Sequence, residues 1–449
     1  MNRYRSPELS SHFHTRRSSA IRVAQIEFLK RKDAVEAINL AIGNVSLPMH
    51  PVMADRLANL RAQGSPFENG AVRYTPTAGM EETREAFRHI IASSGFDARR
   101  LHLQITDGGS QAMELVILGV CGEAGTPDRP LMIIDPTYTN YTAMAIRVGR
   151  STVAITRTLQ DNGRFTLPDF SRIERIIQER KPGALLVIPY DNPTGQLYSR
   201  SQMLELAELC VRYNLWMISD EAYRELYYGQ GEVTSIWGIT DRDVPGIEGR
   251  RISIETSSKV WNACGLRVGA LVTDNEEFHS GAVAEYTANL CPNAIGQYIF
   301  AALADVPVEE LHRWYERQRE YYRTLLEEMN TLMRKILPGI IVSSPDAAIY
   351  SVVDLRRIVP ASFDDREFVL YCAREGAVEI EGKHYTLLVA PMSGFYNLPS
   401  SENPGRTQMR VAYVEPLERM KLAPQLFKEL LQGYLESLAQ PSTVATARR

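Results

Sequence analysis

The stretch Thr256-Ser-Ser-Lys-Val-Trp-Asn-Ala-Cys-Gly-Leu-Arg-Val-Gly269 places one lysine, Lys259, just past an apolar run, Arg251 to Thr256, that reads as a buried strand. A lysine delivered into an interior by a strand end is costly to bury as a charged group and loses its proton easily there. The neutral amine is the form that makes a Schiff base with a carbonyl carbon. Arg267 follows eight residues later, and Thr256, Ser257 and Ser258 supply hydroxyls on the other side of the lysine. Hydroxyls beside an arginine are the donors that an anionic phosphate tail requires. Cys264, inside the same stretch, reads as a small packed residue rather than a nucleophile.

Such a lysine must be positioned by a sheet. Short apolar runs alternate with helical segments between about Pro51 and Pro292, and the candidate strands are Leu131–Asp135, Ala184–Pro189, Leu215–Asp220, Arg251–Glu255 and Ala270–Thr273. Near-continuous apolar runs of this length suit strands covered on both faces, so the expected fold is α/β with a mostly parallel sheet between helices. Ligands of open α/β sheets sit beyond the carboxyl ends of the strands. Those ends carry Asp135-Pro-Thr-Tyr138, Tyr190-Asp-Asn-Pro-Thr-Gly195, Asp220-Glu-Ala-Tyr223 and Lys259. A carboxylate, an amide, phenols and a lysine therefore converge on one crevice. Upstream, Thr106-Asp-Gly-Gly-Ser110 is a glycine-rich turn opening an apolar helix, whose first N–H groups and dipole favour an anion.

The rest of the chain bounds the reading. At 449 residues and 44% hydrophobic it can build a large core in two or three domains. A net charge of -4, with no Lys/Arg stripe interleaved with aromatics, argues against nucleic acid as a partner. No apolar run approaches a membrane span, and Met1-Asn-Arg-Tyr-Arg5 lacks a signal-peptide core, so no membrane partner is expected. Cys121, Cys210, Cys264, Cys291 and Cys372 are scattered without CxxC spacing, which suits a reduced, cytoplasmic protein. His12 and His14 share a charged N-terminal segment and the remaining histidines are isolated, so no metal is expected. An amphipathic helix is expected over about Ala20–Arg31, an apolar segment over Ala37–Gly43 and a long charged helix over about Val308–Lys335; the tail Gln440–Arg449 reads as frayed. The expected organisation is an N-terminal arm and part of a small domain over 1–50, a large domain over 51–305 and the rest of a smaller α+β domain over 306–449.

From about Asn39 to Pro416 this ordered set resembles the class I/II pyridoxal-phosphate-dependent aminotransferases of fold type I, with the lysine signature running from Ser258 to Gly269. Thr256 stands where Ser or Gly is usual in that family, Ser257 where an apolar or aromatic residue is commoner, and Val45-Ser-Leu-Pro48 departs from an acidic-aromatic consensus. The resemblance implies that Lys259 holds pyridoxal 5'-phosphate covalently and that Asp220 pairs with its pyridine nitrogen. It implies that Tyr223 and Asn192 bond its phenolic oxygen and that Tyr138 stacks on its ring. Gly108, Gly109, Ser110, Thr256, Ser258 and Arg267 would cradle the phosphate. Tyr74, in Arg73-Tyr-Thr-Pro-Thr-Ala-Gly79, matches a tyrosine that reaches a partner subunit's phosphate, which implies a homodimer. Arg410, in Gln408-Met-Arg-Val-Ala-Tyr413, matches the arginine that clamps the substrate α-carboxylate, and Gly43 the glycine whose backbone lies near that carboxylate.

The expected activity is transfer of an amino group between an L-amino acid and a 2-oxo acid. Glu285-Tyr-Thr-Ala-Asn-Leu-Cys-Pro-Asn293 lacks the second arginine that a dicarboxylate-specific relative brings just beyond the lysine motif, which favours a neutral or bulky side chain. The same residues would serve an elimination, cyclisation or oxidation. A transcription regulator with this fold needs a winged helix-turn-helix and linker, for which about forty residues before Gly43 are too few. The complete Lys259–Asp220–Asn192–Tyr223 set argues against a non-catalytic scaffold.

Overall fold

The computed structural model of the chain describes residues 7–229 and 233–439; the expected fraying of Gln440–Arg449 lies outside the described residues. Its centre is a seven-stranded sheet in the order His102–Thr106, Gly269–Thr273, Arg251–Thr256, Trp216–Asp220, Ala184–Val187, Leu131–Asp135, Thr152–Thr156. Gly269–Thr273 runs antiparallel to both neighbours, and the other pairings are parallel. Leu131–Asp135, Ala184–Val187 and Arg251–Thr256 are buried at every position. Successive side chains point to opposite faces, so helices must cover both. Gly109–Val120 packs on the strands around Gly269–Thr273, while Phe170–Arg180 and Arg200–Arg212 pack on the strands at Thr152–Thr156 and Trp216–Asp220.

All five expected strands form, with ends shifted by up to two residues; Ala184–Val187 stops short because Pro189 cannot donate to a ladder. Two members of the sheet carry weaker signals. His102–Thr106 contains a buried Gln104, whose amide donates to Thr77 O and Ile105 O at 2.7 Å each. Thr152–Thr156 is an edge strand with alternating burial.

A smaller domain stands against this layer. Its four-stranded antiparallel sheet runs Ile341–Val342, Tyr350–Asp354, Gln408–Ala412, Ala390–Pro391. In a three-stranded sheet, Val35–Asn39 lies parallel to Lys383–Leu388, so the N-terminal segment is built into the C-terminal part. Ala412 N–H donates to Leu40 O at 2.9 Å and joins the two sheets. The expected long helix spans Val308–Ile336 and buries Leu311, Trp314, Tyr315, Gln318, Tyr322, Leu325, Leu326, Met329 and Met333. That spacing of three and four is one face of an α-helix. The N-terminal helix covers Ala20–Phe28 and buries Ile21 and Ala24. Among the described residues no helix is long and apolar enough to cross a membrane, and no cluster of His, Cys, Asp and Glu could hold a metal ion.

Candidate active site

The carboxyl ends of the parallel strands open into a cleft of about 740 Å³. That is within the range of small-molecule sites. Strand Arg251–Thr256 delivers Thr256, Ser258 and Lys259 to its wall. Lys259 is half-buried, and its Nζ donates to the carbonyl of Gly43, a residue of the segment that leads out of Val35–Asn39. A Cβ at Gly43 would lie 2.2 Å from Tyr350 Oη and 3.2 Å from Lys259 Nζ, so a side chain there would invade the lysine's place.

Strand Trp216–Asp220 ends on the carboxylate. Asp220 Oδ1 accepts from Ala222 N–H at 3.0 Å, and Oδ2 accepts from Tyr141 Oη at 2.5 Å. Burial raises the Asp220 pKa, and the Tyr141 bond opposes the rise. A cationic partner in the cleft would draw it back down, since an opposite charge favours the ionised form. Tyr223, one turn on, is buried and its phenol is pushed well above its usual value, by burial first and by Tyr350 second. Its Oη lies 2.9 Å from Tyr350 Oη and accepts from Asn192 Nδ2 at 3.3 Å.

Asn192 joins this group to Arg410. Arg410 Nη1 donates to Asn192 Oδ1 at 2.9 Å, and Nη2 to Ala41 O at 2.6 Å. The guanidinium is stacked over Tyr350 at 4.3 Å and lies 5.0 Å from the Phe395 ring centre. Arg410 is 1% exposed and lines the cleft, its Nε has no partner, and among the described residues no carboxylate pairs with it. A buried charge costs several kcal/mol unless it is paired. Arg410 is thus a buried cation without an acidic partner among the described residues, on the wall of an open cleft.

The residues expected to cradle an anion lie close together. Gly108, at φ +89°, caps the helix Gly109–Val120, and Gly109 and Ser110 face the cleft. Arg267 sits in the left-handed region at φ 53° and brings its guanidinium under Gly108, where any Cβ would meet Nη2 at 2.3 Å. Its Nη2 donates to Asp107 O at 3.3 Å and its Nη1 to Cys264 O at 3.0 Å. Thr256 Oγ1 and Ser258 Oγ are 2.8 Å apart beside it. Tyr138 also lines the cleft, and its hydroxyl accepts from Asn140 Nδ2 at 2.8 Å.

Tyr74 is not brought into this cleft. It is 80% exposed, in a separate shallow depression that it shares with Arg73, Asp107 and Asn293, and Arg267 is the wall common to both. Two contributors went unread in the sequence. Tyr141 stands three residues past Tyr138 on a helix, with nothing local to mark it. Tyr350 comes from a strand of the smaller domain, 127 residues from its partner Tyr223.

The chain's residues 35–395 match the family model for aminotransferase class I and II. It is 26% identical over 338 residues to the aspartate/prephenate aminotransferase of Thermus thermophilus, covering 74% of this chain and 80% of that one. It is 24% identical over 375 residues to aromatic-amino-acid aminotransferase 2 of Thermococcus litoralis, covering 81% and 85%. The fold is similar to that of N-succinyldiaminopimelate aminotransferase from Mycobacterium tuberculosis, with a TM-score of 0.77 at 20% identity over 94% of this chain and 100% of that one. A crevice that gathers a lysine, an acid, an anion cradle and an uncompensated buried arginine, within a chain matched over most of its length, has one reading: the protein belongs to the class I and II aminotransferases, which use pyridoxal 5'-phosphate.

Proposed function

We propose that the protein transfers the amino group of an L-amino acid with a neutral or bulky side chain to a 2-oxo acid, with the cleft residues in the roles given below. The observation that carries the reading is Arg410, a buried guanidinium without a carboxylate among the described residues, in the same cleft as Lys259 and Asp220. The residues present fit pyridoxal 5'-phosphate. Gly109, Ser110, Thr256, Ser258 and Arg267 form a cradle of N–H, hydroxyl and guanidinium donors for a phosphate, and Asp220 offers a carboxylate for a pyridine nitrogen. Asn192 and Tyr223 offer donors for a phenolic oxygen, Tyr138 an aromatic face, and Lys259 the amine that holds the group covalently. The bound cofactor supplies an electron sink that acidifies the substrate Cα–H and keeps the amino group between half-reactions.

The chain's own residues do the rest. Arg410 takes the α-carboxylate through its guanidinium, as the Gly43 backbone passes beside it, and this fixes which substrate bond faces Lys259. Lys259 Nζ, beside the Gly43 carbonyl, would serve as the base that takes the Cα proton of a substrate held by Arg410, and as the acid that gives it back. Asp220 would keep its charge when a cation stands against it, and so would hold a protonated ring nitrogen.

Lys259→Ala abolishes turnover on this reading. The test is a half-reaction on the holoenzyme: an amino acid converts the cofactor's absorbance to that of its amine form, and a 2-oxo acid restores it. Conversion without restoration would point instead to elimination, cyclisation or oxidation. The preference for a neutral or bulky side chain rests on Glu285–Asn293, which has no arginine. We further propose a homodimer, supported by the exposed Tyr74 in a depression whose wall, Arg267, is also a wall of the cleft, and a cytoplasmic location, supported by the five scattered cysteines. The division into 1–50, 51–305 and 306–449 is proposed with it, the middle part holding the cofactor.

A further inference from the structure

The helix Ala20–Phe28 forms one side of the cleft mouth. Ile21 and Ala24 anchor it, and just before it Ser19 Oγ lies 3.2 Å from Thr139 Oγ1, the residue after Tyr138. This docking leaves Arg22 and Gln25 on the cleft wall. Arg22 is exposed, and its side-chain bond is to Gln25 Oε1 at 3.3 Å; among the described residues it has no carboxylate partner. Its charge is felt inside: burial raises the Tyr138 phenol to about 12, Tyr350 and Asp220 add to the rise, and Arg410 and Arg22 oppose it.

The acids of the cleft are already engaged elsewhere. Asp220 accepts from Tyr141 and from Ala222 N–H. Glu415 accepts from Asn39 N–H at 3.1 Å and from Arg419 at 3.1 Å. The cleft thus holds three arginines at separate places. Arg267 lies at the glycine turn, Arg410 at the floor and Arg22 at the rim. A phosphate and an α-carboxylate account for the first two. The third has a planar fork suited to a second carboxylate and, among the described residues, no protein carboxylate to receive it.

We infer that Arg22 is a specificity-determining residue, which receives a carboxylate at the far end of the substrate's side chain. The inference rests on the transaminase reading and narrows it to the bulky arm of the proposed preference. Arg410 is deep and Arg22 stands at the rim, so a side chain that meets both is long or bulky and ends in an acid. The charge comes from this chain's own N-terminal helix, and the stretch Glu285–Asn293 is not needed for it.

The test compares 2-aminoadipate with norleucine, donors of equal chain length that differ in the terminal carboxylate, on the wild-type holoenzyme and on Arg22→Gln. The readout is kcat/KM of the half-reaction, together with calorimetric binding of adipate, which carries two carboxylates and no amine. Wild type is expected to favour 2-aminoadipate. Arg22→Gln loses about 10-fold on 2-aminoadipate and on adipate binding, while norleucine changes by less than about 2-fold, and Arg22→Lys recovers part of the loss. An unchanged ratio of the two donors in Arg22→Gln, or a wild type that favours norleucine, overturns the inference and leaves transamination standing. If no amino acid converts the cofactor, the transaminase reading itself falls. Arg22 is exposed on its helix, so its replacement removes no core contact.

Discussion

Arg224 and Arg410 are buried to almost the same degree, 3% and 1% exposed, and solve the cost of burial in opposite ways. Arg224 lies against Glu255 through two bonds of 2.7 and 2.8 Å, with Glu221 at 3.7 Å. Burial alone would weaken its hold on the proton, but the two carboxylates outweigh it and raise its pKa. Arg410 has an amide, a backbone carbonyl and two aromatic rings for company, and no acid among the described residues. Arg224 therefore belongs to the fold, tying the loop that follows Asp220 to the strand that leads to Lys259. Arg410, on the proposed reading, is half of an ion pair whose other half arrives with the substrate. A buried cation is informative about function only once its partners have been counted.

The sharpest way to break this contrast is to remove each guanidinium in turn. Arg410→Gln is expected to lower kcat/KM by roughly 10²–10⁴-fold, the range lost when one side of a desolvated carboxylate pair is removed. Its melting temperature should equal or exceed that of wild type, because an unpaired buried charge has gone. A fall in thermal stability with activity retained would reverse the assignment. Arg224→Met should do the opposite, costing about 3–5 kcal/mol in urea unfolding by stranding Glu255, with much of the loss regained when Glu255→Leu is added. Ligand binding gives a smaller signal. A 2-oxo acid at about 100 times its Kd should stabilise wild type by about 2.7 kcal/mol and leave Arg410→Gln nearly unmoved in a thermal melt.

The smallest effect concerns a third solution, a buried group that keeps its proton. Asp365 is fully buried, accepts from Ser393 N–H at 2.7 Å and leaves its Oδ1 unpartnered. Burial raises its pKa to about 7, with the bonds from Ser393 opposing. The folded protein then holds a proton that the unfolded chain has lost. Its contribution to stability is whole below about pH 4, declines as pH rises toward 7 and is flat above. The slope from one such group cannot exceed about 1.4 kcal/mol per pH unit. Urea titrations from pH 4 to 8 should show this slope in wild type and less of it in Asp365→Asn; identical slopes would place the carboxyl in the ionised class.

What could be read in the sequence follows the same division. Lys259, Asp220, Asn192 and Tyr138 each stand at or just past the end of an apolar run, and a parallel sheet brings those ends to one edge whatever the loops do. Gly108 and Arg267 were legible as a glycine turn and a cation, though not that the guanidinium lies where Gly108 lacks a Cβ. Tyr141 and Tyr350 were not legible. The first is marked by nothing except its contact with Asp220, and the second reaches Tyr223 only once the smaller domain has closed on the sheet. Arg22 was visible as one charge on an amphipathic helix. Its place on the cleft wall depends on which face Ile21 and Ala24 bury.

The helix Val308–Ile336 gains a further meaning from its contacts. Trp314 Nε1 donates to Val260 O at 2.9 Å, one residue beyond Lys259. Farther along, the same helix packs on Ile341–Val342, at the edge of the sheet that holds Arg410, and on Ala423–Ala439. Its 29 residues make a rod of about 43 Å. The neighbour of Lys259 and the sheet that carries Arg410 are thus both packed on one helix rather than related only through the loops between them. The reach from amine to guanidinium, and so the room left for an amino acid, is set by a ruler that stands outside the cleft.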